Sequence, residues 1–211
     1  MIDLHCHLLP GLDDGPATMP EALAMARLAV ANGIARAVVT PHIHPGRYDN
    51  TLDSISTAYW KFKAELAKQG IPLGLGMAAE VRIGYEIIQL ASCGQLPFLG
   101  IMDRKNVLLV EFPHGHLPPG SEKLMNWLMD RGISPMIAHP ERNKSVIRDL
   151  DKLRPFVEMG CYLQVTAGSV AGDFGGLAKK CAEQMLENGW VTLLASDAHN
   201  TKSRPPALEP G

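Results

Sequence analysis

The chain has 211 residues, 46% of them hydrophobic and 20% charged, which is the composition of a globular protein with one sizeable core, and a single domain over 1–211 is the default expectation. The formal net charge is -2, with Lys and Arg scattered rather than blocked together, so no electrostatic footprint argues for a nucleic acid partner. No export-signal pattern opens the chain and no apolar run reaches membrane-spanning length, so a cytoplasmic protein without membrane insertion is expected.

In chain order, residues 2–5 form a short apolar strand. A helix follows, opened by Thr18, Pro20 and Glu21 as a T-x-x-E capping box with proline in its first turn, and closed by Gly33. Residues 36–40 read as a second strand leading into Pro41 and His42, then an amphipathic helix over 52–68 ends at Gly70. Residues 73–80 make a third strand and 85–92 a helix. The unbroken apolar run 107–111 has the character of a parallel strand buried on both faces. Helices over 122–131, 144–158 and 177–188, stopped by Gly132, Gly160 and Gly189, alternate with strands over 135–139, 162–166 and 191–196.

Seven βα repeats with short connections imply parallel strands and right-handed crossovers, and the simplest closure is a barrel. In such barrels the loops after the strands build the active site. Six of these strand ends carry metal-binding residues: His5 and His7, His42, Glu80, Glu111, His139, and Asp197 with His199. An open doubly wound sheet would gather ligands only near its switch point, so six converging ends favour the barrel. His5 and His7 stand two apart at a strand end, which sends both imidazoles to one side and Cys6 to the other. Either histidine alone has a bland reading as a satisfied polar residue, but that reading leaves unexplained why the acids and imidazoles avoid the strand middles. Mixed imidazole and carboxylate donors suit Mn, Fe or Zn better than Mg or Ca.

The segments Met1-Ile2-Asp3-Leu4-His5-Cys6-His7, Asp13-Asp14-Gly15-Pro16, Ile137-Ala138-His139-Pro140-Glu141-Arg142 and Ser196-Asp197-Ala198-His199-Asn200, with Arg204-Pro205-Pro206, run through nearly the whole chain. Together they resemble the polymerase and histidinol phosphatase (PHP) superfamily, and within it the bacterial protein tyrosine phosphatases of capsule and exopolysaccharide biosynthesis. The resemblance implies an α/β fold, a distorted (β/α)7 barrel of TIM-barrel-like PHP type, holding three divalent metals, most often manganese, with iron or zinc as alternatives. It places His5, His7, Glu80 and Asp197 on the first metal, Glu80, Glu111 and His139 on the second, and Asp14, His42 and His199 on the third. It gives Arg142 and Arg204 the phosphate, which their guanidinium forks suit; a surface ion pair or a packed stem is the other reading of each. The implied substrate is a phosphotyrosine protein, the autophosphorylated tail of a bacterial tyrosine kinase. The oligomeric state is not legible.

The expected chemistry is hydrolysis by a hydroxide held between two metals, which activate water and neutralise phosphoryl oxygens during in-line displacement. Cysteine phosphatases need a thiolate six residues before an arginine, but the residues six beyond Cys6, Cys93, Cys161 and Cys181 are Leu12, Leu99, Ala167 and Glu187. All four thiols are expected to be free, with Cys93, Cys161 and Cys181 packed as small apolar residues. His44, His114 and His116 are left as substrate contacts or solvated loop histidines. A small-molecule phosphatase such as histidinol phosphatase, a non-catalytic metal-binding module and a metal-dependent nuclease are the competing readings. The resembling proteins continue for some tens of residues beyond the Arg-Pro-Pro segment, so a truncated or short form lacking a closing helix is a further expectation, and Pro205, Pro206 and Pro210 disfavour a helix at that end.

Overall fold

The computed structural model describes residues 1–208; Pro210, which entered the reading of the chain's end, lies outside them. The strands and helices follow one another as β1 (Ile2–Cys6), α1 (Met19–Ala31), β2 (Arg36–Val39), β3 (His42–Ile43), α2 (Leu52–Lys68), β4 (Gly74–Met77), β5 (Glu80–Arg82), α3 (Glu86–Ser92), β6 (Gly100–Met102), β7 (Lys105–Glu111), α4 (Ser121–Met129), β8 (Ile133–Ala138), α5 (Lys144–Arg148), α6 (Arg154–Glu158), β9 (Tyr162–Thr166), α7 (Ala167–Ala171), α8 (Gly176–Glu187) and β10 (Leu193–Ala195).

Two parallel ladders, β1-β2-β4 and β10-β9-β8-β7-β5-β3, join into one ring. Pro41 has no N–H to give, so the second stave breaks between β2 and β3. Backbone bonds from Ala78 N to Val39 O (3.0 Å) and from Glu80 N to Pro41 O (3.2 Å) carry the pairing across the break. Thus β2 with β3, and β4 with β5, are each one kinked stave, and the ring has seven. It closes where Asp197 N donates to His5 O and His7 N to Ala198 O, both at 2.8 Å. Asp3 stitches the same seam: its buried carboxylate accepts from Ser196 N (3.0 Å) and Ser196 Oγ (2.5 Å). The expected barrel is therefore present, with β1 and β10 as its closing pair.

The period-2 alternation of β7 divides the apolar residues into two layers. Val107 and Leu109 face the barrel interior with Met136 and Ala138, while Leu108 and Val110 face the helical layer. The largest helix, α2, sends Ile55, Tyr59, Phe62 and Leu66 into that layer at helical spacing, and its N-terminus is capped by Thr51, whose side chain accepts from Ser54 N. The capping box of α1 is formed as expected, with Glu21 accepting from the Thr18 and Ala17 amides.

Three local features differ from expectation. The helix over 144–158 is divided into α5, a 3-10 turn over Leu150–Leu153, and α6, because Asp149 is extended (φ -157°) and Pro155 cannot donate to the preceding turn. Strand β6 pairs antiparallel with β7 through a turn at Asp103 and Arg104, both at positive φ, and this hairpin lies at the end of the barrel away from Glu111. Cys93 is exposed, not packed, whereas Cys161 and Cys181 are buried as expected. Among the described residues no helix is long and apolar enough to cross a membrane.

Candidate metal centre

The carboxyl ends of the staves bring the predicted residues to one place. His5 Nε2 lies 3.3 Å from Asp197 Oδ1, 3.4 Å from Glu80 Oε2 and 3.3 Å from His7 Nε2. His7 Nε2 lies 3.4 Å from the same Glu80 oxygen and 3.5 Å from Asp197 Oδ1. These separations are long for hydrogen bonds. They are the separations of donors that share a transition-metal ion, which for bond lengths near 2.0–2.2 Å and tetrahedral angles are roughly 3.3–3.6 Å. All four side chains are buried.

Glu80 diverges from this point. Its Oε1 meets His139 Nε2 at 2.7 Å, while Oε2 also lies 3.0 Å from His42 Nδ1. Glu111 Oε2 is 3.9 Å from the same His42 nitrogen. On the other side of the His42 ring, Asp14 Oδ1 stands 3.4 Å from His42 Nε2 and 3.4 Å from His199 Nε2. Every metal-ligating residue named from the sequence is thus in the centre, but the grouping differs in detail. His7 also joins Asp14, His42 and His199, Glu111 groups with His42 and Glu80, and His139 groups with His5 and Asp197.

The donor set fits a cation. Glu80 Oε2, Asp197 Oδ1, His42 Nδ1 and His199 Nε2 are buried and have no hydrogen-bond partner, a costly arrangement that a bound metal would relieve. Burial and the Glu80 charge push the Glu111 carboxyl up. Burial, then Arg142, hold His139 down to about 4, and burial, then His7, do the same for His199, so both are neutral near pH 7, the state in which imidazole ligates. Burial also opposes the charged form of His7, but Asp13 and Glu80 outweigh it and raise its pKa to about 10.

Two residues not anticipated as part of the site hold its imidazoles. Gln164 Oε1 accepts the His139 amide at 3.3 Å and stands 2.8 Å from His5 Nδ1. An oxygen accepting from an amide makes His5 Nδ1 the protonated nitrogen, leaving the Nε2 lone pair to face the centre. Asp13 holds the Nδ1 proton of His7, so the proton that a metal displaces is the one on Nε2. Its carboxylate accepts from Gly15 N (2.9 Å) and His42 N (2.9 Å) and from His7 Nδ1 at 2.7 Å. Such supports orient metal-ligating histidines. Asp13 was visible in the Asp13-Asp14-Gly15 segment, and Gln164 was a polar residue in the otherwise apolar interior of a strand. A third, Arg82, pairs with Glu111 Oε2 at 3.1 Å.

Arg142 Nη1 and Arg204 Nη2 converge on Asp197 Oδ2 at 2.6 and 2.5 Å, and Phe174 lies 4.7 Å from the first guanidinium and 5.9 Å from the second. Neither is a surface ion pair: both reach the centre. His139 and Asp197 are at positive φ (33° and 50°), a conformation uncommon for residues other than glycine, at the ends of β8 and β10. Above them opens a cleft of about 710 Å³, lined in part by His44 and His114, with His116 outside its lining.

The model of the family described as capsular polysaccharide synthesis, CpsB/CapC, matches residues 1–211. The chain belongs to the CpsB/CapC family. Within it, the chain is 39% identical over 204 residues to the tyrosine-protein phosphatase YwqE of Bacillus subtilis (strain 168), covering 97% of this chain and 79% of that protein. It is 29% identical over 215 residues to the tyrosine-protein phosphatase CpsB of Streptococcus pneumoniae, covering 99% and 87%. A crystal structure from work on YwqE and CpsB, presented as unique metal-dependent tyrosine phosphatases, matches with a TM-score of 0.91 at 37% identity, covering 99% of this chain and 83% of that one. The CpsB/CapC barrel and the donor cluster at its mouth thus occur together in this chain.

Proposed function

We infer that the protein is a metal-dependent protein-tyrosine phosphatase of the capsular polysaccharide type. The observation that carries this reading is the set of buried, unpartnered donors on His42, Glu80, Asp197 and His199 in a chain of this family. We assign His5, His7, Glu80 and Asp197 to one cation, Glu80, Glu111 and His42 with His139 to a second, and Asp14, His42 and His199 to a third. Manganese is the proposed occupant, with iron or zinc the alternatives that this donor chemistry admits. Bound divalent cations supply Lewis-acid activation of water and neutralise phosphoryl charge.

The chain's own residues do the rest. Five carboxylates (Asp13, Asp14, Glu80, Glu111, Asp197) outnumber the three guanidiniums (Arg82, Arg142, Arg204) and the His7 imidazolium around the centre, so the bare protein has no surplus of positive charge there for a phosphate dianion. Metal loading reverses the sign. Arg142 and Arg204 then present two guanidiniums at the cleft floor to the phosphoryl oxygens, and Phe174 backs them. Gln164 and Asp13 keep the His5 and His7 lone pairs aimed at the centre. A phenolate, with a parent pKa of about 10, leaves with less help from a general acid than an alkoxide does.

No thiol competes as nucleophile. Cys6 is buried and donates to Val38 O, and burial raises its pKa well above the ordinary thiol range. Burial pushes Cys161 and Cys181 up to about 12. Cys93 is exposed and does not line the cleft. A cytoplasmic phosphotyrosine protein, the autophosphorylated tail of a bacterial tyrosine kinase, is the proposed substrate, supported by the capsule-synthesis description of the family. Glu80→Gln and Asp197→Asn are expected to lose metal and phosphotyrosine hydrolysis together. Hydrolysis that survives verified removal of all metal would overturn the reading.

A further inference from the structure

The cleft is charged asymmetrically. Its carboxylates, Asp14, Glu80, Glu111 and Asp197, all belong to the donor set at its floor, while the charged residues that line it outside the centre, Arg47, Lys144 and Arg148, are all cationic. Arg47, Lys144 and Arg148 are exposed, and among the described residues no carboxylate comes within ion-pair distance of any of them. In a chain of net charge -2, three unpaired cations on one rim form a local field that the protein does not itself neutralise.

The rim is also held in place. Lys144 opens α5 and its amide donates to His114 O (2.8 Å), and one turn on Arg148 Nε donates back to Lys144 O (2.9 Å). Arg47 lies over the Tyr48 ring (5.0 Å), and Tyr48 stacks on His42 with rings 5.4 Å apart and nearly parallel. The Lys144 backbone and the Arg47 and Arg148 guanidiniums are therefore anchored beside the floor. The volume of about 710 Å³ is that of a pocket for a ligand much larger than phosphate. Leu177, 71% exposed at the start of α8, and Phe174 give the wall an apolar surface against which an aromatic ring can lie.

We propose that Arg47, Lys144 and Arg148 form a reading rim for peptide carboxylates, so that the protein selects phosphotyrosine segments flanked by Asp or Glu over neutral or basic ones. The proposal rests on the phosphotyrosine reading of the centre and adds the charge of the sequence around the phosphorylated residue. Charge complementarity decides the occupant: an aromatic phosphate fills the floor and apolar wall, and only a chain with acidic residues on both sides of it meets Arg47 and the Lys144–Arg148 pair at once.

The test separates recognition from turnover. Two labelled peptides carrying the same non-hydrolysable phosphotyrosine phosphonate, one with Asp and Glu flanks and one with Ser and Gly flanks, are titrated with the metal-loaded protein by fluorescence anisotropy. The acidic peptide is expected to bind about tenfold more tightly at low ionic strength, with the difference shrinking as salt is added. The triple variant R47Q/K144Q/R148Q, altered only at exposed positions, is expected to bind both peptides equally. Equal affinities in the unmodified protein, or a preference that survives in the triple variant, would overturn the rim. Displacement of the acidic peptide by a single-stranded oligonucleotide at equal concentration would assign the rim to nucleic acid and overturn it too. Hydrolysis of an aryl phosphate, measured separately, reports on the centre: activity without charge preference removes the rim alone, and charge preference without activity removes the phosphatase reading and keeps the rim.

Discussion

Asp13→Asn perturbs the centre while leaving every proposed ligand in place. The Asp13 carboxylate accepts from Gly15 N, His42 N and His7 Nδ1, and an asparagine of the same shape has one oxygen for these three donors. With its oxygen toward His7, its amide faces the Gly15 N–H. Turned round, it faces His7 Nδ1 and the His42 N–H. Either way a buried donor loses its partner, at about 1–3 kcal/mol. The pKa agrees: burial opposes the Asp13 charge, but His7 and the Gly15 and His42 amides outweigh it and hold Asp13 down to about 2 from an ordinary 3.8. That difference corresponds to about 2 kcal/mol at neutral pH, or a fall in Tm of roughly 4–8 °C for a chain of this size. Because the folded pKa is the lower one, this stability is complete above the ordinary value and fades as pH drops toward 2. The Tm gap between wild type and variant, measured on metal-free protein, should be full at pH 6 and narrow below pH 4. Moving the His7 proton to Nε2 is the remaining escape, and it removes the lone pair that faces the centre. Metal affinity should therefore fall about 10–100-fold. Unchanged metal affinity with unchanged Tm would refute this account of Asp13.

Chelation should lower the Tm, since a cation held at about 100 times its Kd contributes about 2.7 kcal/mol and its removal leaves buried carboxylates crowded together; an unchanged melt after verified metal removal would count against the centre. Cys6→Ser should retain activity within a few-fold, because Cys6 serves as a buried donor to Val38 O, and loss of activity with full metal content would contradict a mechanism without a thiolate. Glu141 is buried, accepting from Ser169 Oγ (2.6 Å) and Thr166 N (3.1 Å), and burial raises its pKa above the ordinary 4.5. A raised carboxyl stabilises fully below its unfolded value and loses that contribution as pH rises through the folded one. Glu141→Gln, which cannot ionise, should therefore gain in Tm on the wild type between pH 4.5 and pH 8, and a gap that does not change with pH would contradict this.

What was legible in the chain was whatever depends on strand ends. Each stave delivers its donor at a fixed point after an apolar run, so His5, Glu80, Glu111, His139 and Asp197 could be placed before their partners were known. The ring itself followed from repeated strands and short crossovers. Gln164 was not assigned because its role is a relation across the ring: on β9 it meets His5 on β1, 159 residues away, and nothing local to either marks the pair; Asp13 lies six residues from His7, but the path of the loop between them is not written in its residues. The β6 hairpin escaped because its turn places Asp103 and Arg104 at positive φ without glycine. The break in the helix over 144–158 escaped because Pro155 is tolerated in the first turn of a new helix as readily as it ends an old one. Exposure of Cys93 depends on the packing of the short α3, which seven residues of pattern could not settle.

The central claim is most directly tested by the initial rate of hydrolysis of a phosphotyrosine peptide beside histidinol phosphate, with manganese and after chelation, on protein whose bound metals have been counted. Manganese-dependent hydrolysis that favours the peptide is the predicted result. Preference for histidinol phosphate would contradict the substrate while keeping the chemistry, and turnover of neither substrate with the metals bound would contradict the assignment as a phosphatase.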